Sequence, residues 1–145
     1  MEIYSIGFTQ KSAGQFFDTL KAYRIERLLD IRLNNTSQLA GFAKQADLAY
    51  FLREICSASY EPQPLLAPTQ EMLDTYKKRK GGWDAYERDF LALMRARNIE
   101  SALDRESFKQ KTVLLCSEPT AEHCHRRLVL EYFEKHWKGV EIHHL

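Results

Sequence analysis

Apolar positions along the chain follow two periods. Short apolar or alternating runs occur at 2–6, 27–31, 113–115 and 140–144. Runs of that length and type predict strands, the continuous ones covered on both faces. Tyr60 opens a further short strand, which Pro62 and Pro64 end. Between the strands the spacing changes to that of helices. Phe16, Phe17, Leu20 and Tyr23 form the inner stripe of a helix over 13–23, with Ser12 as its N-cap. Leu48, Phe51, Leu52, Ile55 and Cys56 do the same over 45–59. Met72, Leu73 and Tyr76 follow Thr69, and Tyr86, Phe90, Leu93 and Met94 mark a helix over 84–97. A short helix is predicted around 99–108. A final helix, with Thr120 as its N-cap, turns Leu128, Val129, Tyr132 and Phe133 inward and closes at Gly139.

Strands alternating with helices predict an α/β fold: a mainly parallel sheet of about five strands, Rossmann-like, with helices on both faces. The chain of 145 residues fits a single domain over 1–145, without repeat or linker. If the first and fourth strands are neighbours, their connections leave in opposite directions. The turn at Gly7 and the loop after Cys116 then meet in a switch-point crevice, where open α/β sheets bind ligands.

Composition narrows the classes. Lys and Arg (21) nearly balance Asp and Glu (20), for a net charge of +1, so overall charge points to neither nucleic acid nor membrane. Hydrophobic residues at 44% and charged ones at 28% describe a globular domain. No apolar run approaches a membrane span, and MEIYSIGF lacks the pattern of a secretion signal. Three cysteines without framework spacing fit free thiols in a reducing, cytoplasmic setting.

The chemistry concentrates in TVLLCSEPTAEHCHRR, residues 112–127. Around a strand end and a helix start lie Cys116, Glu118, His123, Cys124, His125, Arg126 and Arg127. Asp30 and Arg32 flank Ile31 and share a face of an extended chain, either as an ion pair over the site or as a structural bridge. The loop 33–44 offers Ser37 as a hydrogen-bonding group. Its Phe42 either covers a ligand or anchors the loop. Gly7, Phe8 and Thr9 form the first turn, where a glycine lets a ligand approach the backbone. Lys77 to Lys80, Gly81, Gly82 and Trp83 read as a basic helix end or as a phosphate grip with a stacking ring. Cys56, among apolar neighbours, reads as an inert buried thiol.

YSIGFTQ, LLDIR and LLCSEPTAEHCHRRL resemble segments of the DUF488 family of small bacterial and archaeal proteins. DIRLNNTSQLAGFAK and LLAPTQEMLDTYKK look like one branch of it. The resemblance implies that family's α/β fold. It carries Gly7, Asp30, Arg32, Cys116, Glu118, Cys124, His125 and Arg126 as motif positions. Phe8 departs from it, standing where many members have His. The resemblance implies no particular reaction.

Three chemistries fit the residues. In the first, the site binds a phosphate-bearing ligand, a nucleotide or nucleic acid. Arg32, with Arg126 or Arg127, grips the anion beside helix N–H groups, and Asp30 and Glu118 serve as acid and base. In the second, Cys116 is a reactive thiol at a helix start, although phosphatase-type loops return an Arg where this chain has Ala121 and Glu122. In the third, Cys116, Cys124 and His123 or His125 bind a metal. Adjacent residues on a helix diverge, so the spacing argues against convergence. A non-catalytic nucleic-acid-binding module is a fourth reading, with the basic run extending its surface.

Overall fold

The computed structural model describes residues 1–35, 41–77 and 82–145. Its centre is one five-stranded sheet in the order β3-β2-β4-β1-β5, parallel throughout. The strands are β1 (Glu2–Gly7), β2 (Arg27–Asp30), β3 (Ser59–Pro62), β4 (Thr112–Cys116) and β5 (Glu141–His144). Six α-helices accompany them among the described residues: α1 (Ala13–Ala22), α2 (Gln45–Phe51), α3 (Gln70–Lys77), α4 (Trp83–Ala96), α5 (Ile99–Ala102) and α6 (His125–His136). None is long and apolar enough to cross a membrane.

Alternation along the strands divides the core in two. Tyr4, Ile6, Leu28, Val113 and Leu115 face one side, under Phe16, Phe17 and Leu20 of α1 and Leu48 of α2. Ile3, Leu29 and Leu114 face the other, against Phe90 and Met94 of α4 and Leu128, Val129 and Phe133 of α6. Helices therefore cover both faces, and the central strands are buried along almost their whole length, mostly by apolar side chains.

Several helix limits differ from the periodicity. Tyr23 caps α1 and is exposed, because Ile25 must already enter the core. The helix predicted over 45–59 ends as α2 and one π turn, Leu52–Cys56. Ser57 then turns left-handed (φ 53°), since Ser59 has to pair with β2. This leaves Ile55 exposed. The segment 99–108 divides into α5 and a 3₁₀ turn, Arg105–Lys109, about an extended Leu103. The last helix begins at His125, not at the predicted Thr120, and Cys124 is its N-cap in an extended conformation. Capping worked as predicted at Ser12, which forms a full capping box with Gln15, and at Thr69, whose hydroxyl accepts from Met72 N.

Candidate active site

β1 and β4 are neighbours, with Gly7 opposite Cys116. The two loops after them meet: Thr9 N and Oγ1 both donate to Ser117 O. A Cβ on Gly7 would lie 1.7 Å from Glu118 O and 2.9 Å from Arg126 Nη1. The glycine therefore admits the chain's own carbonyl, not a ligand.

The open space lies one strand further on. A cleft of about 110 Å³ sits over the end of β4, between Arg32 after β2 and the α3–α4 pair. Cys116, Glu118, Cys124 and His125 form its floor. Tyr76, Lys77, Trp83, Tyr86 and His123 form a wall, with His123 stacked on Trp83 at 5.0 Å and Trp83 on Tyr86 at 5.2 Å. That volume suits a few waters or one small polar group.

The extended N-cap decides what converges. Because Cys124 precedes the helix, its sulfur, that of Cys116 and a ring nitrogen of His125 all lie within 4.8 Å of one another. Helical divergence, which argued against such a cluster, does not apply to a residue outside the helix. All three are buried. Nε2 of His125 lies 2.8 Å from Ile31 O, an acceptor only, so Nε2 carries the proton. Nδ1, 3.4 Å from Cys116 Sγ, presents its lone pair to the thiol. The Cys116 thiol is held below its ordinary range, chiefly by the Cys124 S–H, against its own burial. The N–H groups of Ser117 and Glu118 and the Arg126 guanidinium act in the same direction. Cys124 moves the opposite way, raised by its role as donor to Cys116 and by burial. The two sulfurs form a coupled pair in which Cys116 is the more acidic and Cys124 the donor.

Arg126 has another task than the one expected. It is wholly buried, donating from Nη1 to Glu118 O at 2.7 Å and to Cys124 Sγ at 3.5 Å, and from Nε to Ser5 Oγ at 3.3 Å. Its Nη2 is buried without a hydrogen-bond partner among the described residues. It pins the Cys116 loop instead of gripping a ligand. Arg127 leaves the site for Glu87, Glu131 and the Trp83 ring.

Asp30 and Arg32 form a bidentate, buried pair at 2.7 and 2.8 Å, and Tyr60 donates to Asp30 at 2.6 Å. Asp30 thus stands behind Arg32, outside the cleft, while Arg32 lines it and lies 5.2 Å from the Phe8 ring. Phe42 packs on Phe16 and Phe17, the anchoring role of the two considered. Gly7, Phe8 and Thr9 also lie off the cleft. Ser37 and the basic run at 78–80 fall outside the described residues. Cys56 directs its thiol at Phe17 O, and burial pushes it up.

Sequence reasoning missed Tyr60, Tyr86 and Ser5 as supports of the site. Ser5 carried a signal, being a small polar residue between apolar ones in a strand, buried here between Arg126 and His144. No curated protein and no solved structure matches the chain. Residues 12–133 match the model of the domain of unknown function DUF488, and the chain belongs to that family.

Proposed function

We propose that the protein is an enzyme with Cys116 as nucleophile, acting on a small substrate that carries an anionic group, phosphate foremost. One observation carries this reading. Cys116 Sγ lies 3.4 Å from the unprotonated Nδ1 of His125, whose other nitrogen is fixed on Ile31 O. Nucleophile, base and orienting group stand in series, the arrangement that activates thiols. The charge balance agrees. Arg126 is fully buried and touches no carboxylate in the contacts described, and its charge favours ionisation of Cys116. Arg32 and Lys77 line the cleft as partners for the anionic group.

In the chemical step Cys116 Sγ bonds to the electrophilic centre as the bond to the leaving group breaks. The leaving group takes the proton that His125 received from the thiol. Water then cleaves the thio-intermediate, giving its hydroxyl to the substrate fragment and its proton back to sulfur.

Iodoacetamide labelling followed by mass spectrometry tests the nucleophile, with Cys56 as internal reference. Cys116 is expected to react at least tenfold faster at neutral pH, and His125→Gln to slow it by about 10²-fold. Millimolar inorganic phosphate should protect it. A Cys116 as slow as Cys56 would discard the reading, whereas phosphate without effect would remove only the anionic substrate.

A further inference from the structure

We infer that Cys116, Cys124 and His125 also form a binding site for a thiophilic divalent ion, zinc above all. In that loaded form Cys116 is a ligand, not a nucleophile. This goes beyond the proposed activity, although it uses the same sulfur.

The donors are of the right kind and come from two places in the chain. Two sulfurs and one imidazole nitrogen lie within 4.8 Å of one another, and a small contraction brings them to the separations of roughly 3.3–3.8 Å that tetrahedral zinc bonds of about 2.0–2.3 Å require. The 3.4 Å from sulfur to nitrogen is close to the edge of a tetrahedron built with those bond lengths. The outer contacts match as well. A ligating histidine donates its other N–H to a carbonyl, as His125 does to Ile31 O. The Arg126 guanidinium donates to Cys124 Sγ, a contact that favours a thiolate over a thiol.

Three protein ligands leave a fourth position, and the same three residues line the cleft. Charge suggests what would fill it. Two thiolates cancel a divalent ion, which leaves the buried charge of Arg126 unmatched. An anionic fourth ligand, hydroxide or an anionic group of a bound molecule, restores neutrality. Binding of the ion displaces thiol protons, so zinc and alkylating agents compete for Cys116.

The test uses the full chain, purified without a histidine tag. Metal-free protein is titrated with Zn²⁺ against a chromophoric chelator, and Co²⁺ is added separately to follow thiolate-to-cobalt absorption. Expected are a single strong zinc site, cobalt bands typical of thiolate ligands, and at least tenfold slower labelling of Cys116 by iodoacetamide with zinc present. Cys124→Ser should weaken zinc by tenfold or more. The cobalt spectrum and the protection are read on the unaltered protein, so they do not depend on how that variant folds. No zinc uptake, or uptake with neither thiolate bands nor protection, overturns the inference. Rapid labelling of Cys116 without zinc uptake defeats the metal site alone. Zinc uptake with a metal-free Cys116 as slow as Cys56 defeats the nucleophile alone.

Discussion

At the scale of single residues, the site is built by exclusion as much as by attraction. Gly7 shows this most clearly, since its missing side chain is the space that Glu118 O occupies. Gly7→Ala should destabilise the protein by roughly 3 kcal/mol or more, because backbone must move on both sides of the contact. Gly14, in the first turn of α1, meets nothing closer than Ser12 Oγ at 3.9 Å. Gly14→Ala should therefore be neutral or stabilise by up to about 1 kcal/mol. Urea denaturation of the two variants checks the pair, and equal effects would refute the steric account. From the chain alone Gly7 was visible as a turn at a strand end. That its neighbour would be a carbonyl 111 residues away was not, because strand order is a property of the whole sheet. Arg126 teaches the same lesson. A charged residue in a polar motif invited a ligand-binding role, yet it is buried on the chain's own carbonyl and sulfur.

At the scale of elements, the informative cases lie at the ends. Apolar stripes located α1, α3, α4 and α6, because a helix face against a sheet imposes its own period. They did not locate the start of α6, since residues 117–124 are held by Arg126, Gly7 and Thr9 rather than by local propensity. β5 offers a test of an edge. It pairs with β1, and His144 Nδ1 lies 2.6 Å from the buried Ser5 Oγ. Lost hydration, then the charges of Arg126 and Arg127, hold the His144 pKa below its usual value. The unfolded chain thus takes up this proton first as pH falls, so stability declines below about 6.5 and is retained above it. In thermal melts between pH 7.5 and 5.5, His144→Gln should lose less stability on acidification than the parent. An unchanged pH dependence would remove this role for the ring.

At the scale of the whole molecule, the buried Asp30–Arg32 pair joins the sheet to the cleft, with Tyr60 of β3 tied to it. Asp30→Asn would leave the Arg32 guanidinium buried without its countercharge, at a cost of about 3–5 kcal/mol in chemical denaturation. A cost below 1 kcal/mol would show that Arg32 finds water or another partner. The pair was legible in advance because residues two apart on a strand share a face. The alternation of strands and helices, the parallel sheet and the chemical character of residues 112–127 were legible too, since each rests on periodicity or residue type. Which of those residues meet was not. Cys124 and His125 converge on Cys116 because the helix starts late, and the cleft lies between β4, Arg32 and the α3–α4 pair because β2 is β4's other neighbour. Periodicity is a local quantity, and the chain carries it openly. The meeting of distant side chains depends on strand order and on where each loop is pinned, which only the packed sheet sets.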